Sequence, residues 1–463
     1  MKKKPLITIL LFAAVFCVTL ARQHYSMMLQ SWQGLFLLTP DWFREVFARP
    51  FPVSNLIASF LVQFYDISFV GALVTGLLVS VIFLCIDVFL SRCALPFHGL
   101  VSLLAACACW SLTASAPTNT VLVSMVLFSA ALALLSLLRH RRLLPSERRW
   151  ETVAAAAVIC IAAGSVIANP SVRRAERMAK VQVCACVSDW DGLLEAASPQ
   201  EARKDDRLMP FAFLALGEQG RLGDNLFKYP VEGPEDFDMT GDNSATGSWF
   251  NSILNEHMGS YNEAIHHIFQ YSCHLPHGTS HISLLLLIRY NAASGHYAMV
   301  RKYAGILSRS PKNRRAVRAM ASRYSGMEDV RDTTVANSAE ARVVTNNPAF
   351  NIGQFHLEGL SSKFLSDRFL CYALLNGDLS GFRAAFDALD WSGGRIPVHY
   401  QEALLLAGAD PSEYPFDGNI VSRFSGFMSA VRSVDSGSVE SMAEGTYWAY
   451  YLKLQERMDT ATL

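Results

Sequence analysis

Charge is scarce in this chain of 463 residues. Asp, Glu, Lys and Arg make up 17% of it, against about a quarter in an ordinary soluble domain. Neither sign prevails, because 40 basic residues balance 40 acidic ones. A neutral chain lacks the basic stripe that a nucleic-acid partner requires, so no nucleic acid is expected. Other absences exclude whole chemistries. None of the ten cysteines forms a C-x-x-C pair, which removes zinc ribbons and thioredoxin motifs. H-E-x-x-H, P-loop, dinucleotide-glycine and Ser-His-Asp patterns are all missing, so no cofactor is expected. Alternating strand patterns are also scarce, which leaves an all-α fold.

What is present is a set of long apolar runs. Apolar residues reach 51%, and nearly all of the excess precedes Pro170. A helix needs about 20 such residues to cross the hydrocarbon core. Five stretches, near 5–20, 67–90, 98–114, 120–138 and 152–168, read as spans. Residues 1–169 are thus expected to form a transmembrane bundle, and 170–463 a soluble helical domain. The first stretch has a rival reading. Lys2, Lys3, Lys4, the apolar core and Thr19-Leu20-Ala21 also fit a cleavable signal peptide. In both readings the segment that follows is exported.

Positive charge in short loops sets orientation. With the N-terminus in the cytoplasm, Lys2–Lys4, Arg92, Arg139, Arg141, Arg142, Arg148 and Arg149 fall inside, against Arg22, Arg44 and Arg49 outside. Five spans then place the C-terminal domain in the periplasm of a bacterial inner-membrane protein. Arg173, Arg174, Arg177 and Lys180 directly after the last span argue the other way, but long domains translocate largely regardless of charge. Asp66 and Asp87, at the ends of the second span, read as interfacial cap positions.

The exported loop 22–66 is rich in aromatics, with Trp32, Phe36, Trp42, Phe43, Phe47, Phe51, Phe60 and Phe64. Two amphipathic helices are expected in it, one opening at Pro40 with Asp41 near its N-cap and one over Val53–Tyr65, both along the membrane surface. Asp41 and Glu45, four residues apart, are the candidate catalytic acids. Such a pair on one helix face can activate a hydroxyl or cradle a metal, as in membrane enzymes of lipid-linked sugar transfer. The plainer reading is a cap and a solvated charge.

Helix pairs fill the remainder. Gly259-Ser260-Tyr261 and Gly295-His296-Tyr297 lie 36 residues apart, near the tetratricopeptide period of about 34. Asp189-Trp190-Asp191-Gly192 and Asp378-Leu379-Ser380-Gly381 read as similar helix openings. A degenerate tetratricopeptide-like array is expected, with a divider near 326–349. Its pairs would cover one another and leave a groove for a protein or peptide. His257, His266, His274 and His277, with His267 and His281 nearby, form the one cluster able to suggest a metal. Solvent-facing and helix-end histidines are the plainer reading. Lys312, Arg314, Arg315 and Arg318 read as a basic patch on one helix, either a solvated face or the partner of a nearby acidic loop.

Several motifs resemble an uncharacterised family of multi-pass membrane proteins from Bacteroidales-type bacteria. They are Arg22-Gln23-His24-Tyr25-Ser26, Gln63-Phe64-Tyr65 leading to Gly71, and Gly220-Arg221-Leu222-Gly223 with Phe227, Tyr229 and Pro230. The resemblance implies an inner-membrane location and a helical exported tail, and it supplies no catalytic residue. The expected role is a scaffold or adaptor binding envelope proteins, the alternative an enzyme of envelope glycan chemistry.

Overall fold

The computed structural model describes residues 3–93, 95–114, 119–138, 149–312, 314–330, 362–389, 394–433 and 443–461. The Pro-containing turn at 115–118, the basic run from Arg139 to Arg148, and the divider beyond Val330 lie outside the described residues. Among the described residues every regular element is helical. Two compact units form. The first contains Met1–Val183, Leu275–Ala292 and His296–Asp329, and the second contains Cys184–His274, Ala293–Gly295 and Val330–Leu463.

In the first unit α1 (Lys3–Arg22) leads through α2 (His24–Gln33), α3 (Pro40–Phe47) and α4 (Pro52–Val62) to α5 (Ser68–Arg92). Then come α6 (His98–Thr113), α7 (Asn119–Leu137), α8 (Arg149–Ala168) and α9 (Pro170–Val187). Parts of α1, α5, α7 and α8 make four helices long and apolar enough to cross a membrane. α6, over the expected span 98–114, is not among these four. It has 16 residues, or about 24 Å, which is short of the roughly 30 Å hydrocarbon core.

α6 nonetheless runs the length of α1. At one end Lys4 Nζ and His98 Nδ1 both lie 2.6 Å from the Asp87 carboxylate. At the other, Gln23 Nε2 donates to the Ala114 carbonyl. α8 runs the same way. Trp150 meets Phe97 at 5.6 Å between ring centroids near the Lys4 end. Beyond the far end of α8, Glu176 accepts from the Tyr25 and Ser26 amides at 2.7 and 2.9 Å. A carboxylate there satisfies the orphan amides that open α2. The bundle core holds Leu11, Val15, Val79, Phe83, Leu103, Trp110, Leu122 and Ile159. Asp87 is not the interfacial cap expected of it. It is buried, and its two cationic or polar partners compensate the desolvation.

The second unit opens with α10 (Trp190–Ala196), α11 (Pro199–Ala202), α12 (Met209–Glu218), α13 (Leu222–Asn225), α14 (Ala245–His257) and α15 (Tyr261–Cys273). The chain then supplies α16 (His281–Ala293), α17 (Tyr297–Leu307) and α18 (Arg314–Arg323), most of which pack in the first unit. It finishes in the second unit with α19 (Lys363–Leu375), α20 (Leu379–Asp387), α21 (Val398–Leu406), α22 (Gly418–Arg432) and α23 (Tyr447–Ala461).

The four helix openings singled out in the sequence share one backbone geometry. Ser188, Gly259, Gly295 and Gly377 each have φ between 58° and 77°. The next residues, Asp189, Ser260, His296 and Asp378, have φ from −80° to −93° and ψ from 66° to 79°. A left-handed residue followed by a half-extended one reverses the chain and opens the next helix.

The glycines of the Gly220–Gly223 motif have physical reasons. Gly220 sits at φ +63°, and a Cβ on Gly223 would lie 2.7 Å from Tyr400 Cζ and 2.8 Å from Pro397 Cβ. Both obstacles are parts of rings, so they cannot swing aside. Gly223→Ala is expected to destabilise the second unit by about 1–3 kcal/mol, the usual cost of overpacking. Thermal unfolding of the variant beside the wild type measures this, and an unchanged midpoint would refute it.

Candidate functional site

A cluster of polar and titratable side chains lies where α16–α18 cover the loop helices α2–α4, within the first unit. The covering has an apolar basis. Leu35, Phe36, Leu37, Trp42 and Val46 from the loop pack with Leu284, Ile288, Val300, Ala304, Leu307 and Val317. Local sequence sets the loop up for this. Pro40 stands in the first turn of α3, and the Thr39 side chain accepts from the Trp42 amide at 3.3 Å. Thr39, rather than Asp41, is therefore the N-cap, and it fixes the turn from which Trp42 and Val46 point to one side. Backbone bonds seal the edges. The Leu38 amide donates to Arg309 O at 3.1 Å and the His281 amide to Gly34 O at 3.2 Å.

Inside this seam lies a polar cluster. Lys312 Nζ donates to Asp66 Oδ2 at 2.7 Å, to Ser31 Oγ at 2.5 Å and to Ser31 O at 3.2 Å. All three ammonium protons are thus placed. The Lys312 side chain is only 6% exposed, that of Asp66 33%. Burial lowers the Lys312 pKa, and the adjoining Asp66 carboxylate pulls it back up. Ser310 Oγ reaches Gln63 Oε1 at 3.4 Å alongside. His281, 2% exposed, has no hydrogen-bond partner on either ring nitrogen, and Asp66 Oδ1 has none either. Burial, and then the Lys312 charge, push the His281 imidazole down to about 4, with Asp66 opposing. The imidazole is therefore neutral near pH 7. The lysine here is a fixed, fully bonded charge rather than a nucleophile, and the histidine is the group able to change charge.

The expected site residues fall elsewhere or play other parts. Asp41 is 86% exposed and pairs with Arg44 at 3.1 Å. Glu45 pairs with Arg49 at 2.6 Å and faces His277 Nδ1 at 3.3 Å, at the rim of the seam. The two acids thus have separate partners. His277 also lies beside Trp42, 6.0 Å between ring centroids, and burial and Arg49 lower its pKa against the pull of Glu45. In the second unit, His257 lies 3.0 Å from Glu218 and edge-on to Trp190. His266 stands against His267, and His274 is the exposed C-cap of α15. Among the described residues no group of three His, Cys, Asp or Glu side chains is placed to hold a metal, and no disulfide forms.

Two readings change. Lys312 does not belong to a basic helix face. It lies in the turn before α18 and points into the seam, while Arg314, Arg315 and Arg318 remain exposed. Asp66 is likewise a buried-pair partner rather than an interfacial cap. Sequence reasoning missed Ser31, Asp66, His281 and Lys312 as a group because 281 positions separate the first from the last. A signal existed in part, since Asp66 is a lone charge between Tyr65 and Ile67 in an apolar stretch.

No curated protein and no solved structure matches the chain. A family model described as a family of unknown function, DUF6057, matches residues 2–169 and, in an overlapping stretch, 117–454. These matches reach across both the apolar bundle and the helical remainder, and the chain belongs to that family of unknown function.

Proposed function

We propose that this chain is a bacterial inner-membrane adaptor that holds a tetratricopeptide-like helical array in the periplasm, where the array binds an envelope protein or peptide. The observation that carries this reading is the seam. The loop between the first two spans is built as a platform, and α16–α18 are fixed on it by an apolar core and a buried ion pair. A domain needing only a tether would not require such a platform.

The orientation in this reading is supported by the ends of the bundle. Contacts at the Lys4 end and at the Gln23 end fit α1, α6 and α8 running in one direction, which gives an odd number of passes with α6 taken as one. With Lys4 inside, α9 and all that follows emerge outside. The repeated left-handed turns support the array reading, since a short helix pair buries only one face by itself. In this reading Asp41 and Glu45 trim the polar edge of the platform and take no part in catalysis.

The test uses the full chain, because truncation at residue 181 would strip the cover from the loop. A periplasm-only reporter fused after Leu463 is expected to be active. Affinity capture from crosslinked envelopes is expected to return the same partner repeatedly. An inactive reporter, or capture of nothing reproducible, would sink the proposal. So would loss of complementation on replacing both Asp41 and Glu45 with alanine.

A further inference from the structure

We infer that the segment from Phe47 to Phe69 is seated in the outer leaflet, its aromatic edge occupied by lipid acyl chains. This rests on the bundle spanning a membrane, and it adds a lipid contact that the adaptor reading does not require.

Four observations lead there. First, the loop has two apolar faces, and the seam uses only one. Trp42 and Val46 are buried under α16–α18, whereas Phe47, Phe51, Phe60, Phe64, Ile67 and Phe69 are all exposed. Exposed apolar surface on that scale marks a site of contact with a partner or a membrane. Second, α4 packs along α7, one of the candidate spans. The buried positions of α4 are Ser54, Ala58 and Val62, four residues apart, and small residues at that spacing let two helices approach closely in lipid.

Third, length fixes the depth. α4 has 11 residues, about 16 Å, roughly half of the hydrocarbon thickness. Six positions after Val62, Ser68 opens α5, so α4 stays at the end where α5 enters. It enters the bilayer without crossing it. The exposed row then runs from Phe64 through Ile67 and Phe69 onto the apolar flank of α5 at Leu77, Val81 and Leu84. The lipid-facing surface of a span is therefore continuous with the edge of the loop.

Fourth, Phe51 is held at φ +54°, a conformation in which a non-glycine residue is strained. Glycine or asparagine would turn the chain there with less strain. A phenyl ring that is 69% exposed occupies the position instead. Neither the strain nor the exposure benefits the fold in water. Both are offset when the ring enters lipid, as aromatic rings at the headgroup boundary do. Asp41 and Arg44, exposed and paired with each other, mark the polar edge of the same hairpin.

The test is photo-crosslinking of the full chain in its native membrane. A benzophenone amino acid replaces Phe51 or Phe60, with Phe128 as the lipid-facing standard and Asp41 as the solvent standard. Phe128 lies on α7 and is 67% exposed. Rings about 5–10 Å into the boundary meet acyl chains, so phospholipid adducts are expected at both test positions, near the Phe128 yield and far above the Asp41 yield. Yields at both positions no higher than at Asp41 would overturn the inference, and so would a predominant crosslink to protein at either. Two separate positions guard against one label disturbing the hairpin.

Discussion

Asp66→Ala is expected to loosen the grip of α16–α18 on the loop by about 2–3 kcal/mol, among the largest effects of any single substitution in the first unit. Removing one partner of a buried pair typically costs about 3–5 kcal/mol, because the remaining charge stays buried and uncompensated. The lower figure applies because the Asp66 side chain is one-third exposed, so water screens part of the attraction. Lys312 would be left 6% exposed with Ser31 as its only remaining partner. Lys312→Met should cost less, since Asp66 can turn to solvent. Combining Asp66→Ala with Lys312→Met should recover part of the loss, because no buried charge then remains. Hydrogen exchange of the α16 and α17 amides in detergent reads the opening free energy of this segment. Equal exchange in wild type and Asp66→Ala would show that the pair does not hold the seam.

Acid should open the same seam. His281 is pushed down to about 4 in the folded chain from an ordinary value of 6.5. Between those limits the undocked chain binds more protons than the docked one. The contribution of the neutral buried imidazole is therefore complete above pH 6.5 and shrinks as pH falls toward 4. The drop from 6.5 to about 4 corresponds to about 3 kcal/mol at its acid limit. The charged groups facing His281 are Lys312, which disfavours protonation, and Asp66, which favours it. His281→Leu fills a similar space and carries no proton, so exchange of α16 and α17 should lose its acid dependence in that variant. If His281→Leu kept the wild-type pH profile, another group would be responsible.

Much of the architecture was legible without coordinates. Long apolar runs marked α1, α5, α7 and α8, because a bilayer tolerates little else. The glycine and aspartate openings marked the helix pairs, since left-handed turns leave a local residue signature. α6, with 16 residues, ends at Thr113, while its apolar run continues into Ala114. The seam was illegible for a different reason. The amphipathic pattern of α3 gives a buried face but not what covers it, and membrane and protein leave the same mark in sequence. Only the position of Leu284, Ile288 and Val300 against Trp42 assigns that face to protein. Of the two readings of the basic patch, the solvated face fits Arg314, Arg315 and Arg318, while Lys312 pairs with a loop acid, a direction that depends on a turn.

The return of the chain to its first unit has a consequence in time. Loop residues 35–46 are synthesised long before their cover at 284–317 exists. At roughly 5–20 residues per second, an interval of well over 200 residues lasts on the order of tens of seconds. Through that period Phe36, Trp42 and Val46 lie without the apolar partners that later cover them. A nascent chain of this design needs some other surface, such as a chaperone, to shield its own platform until translation reaches the far side of residue 317.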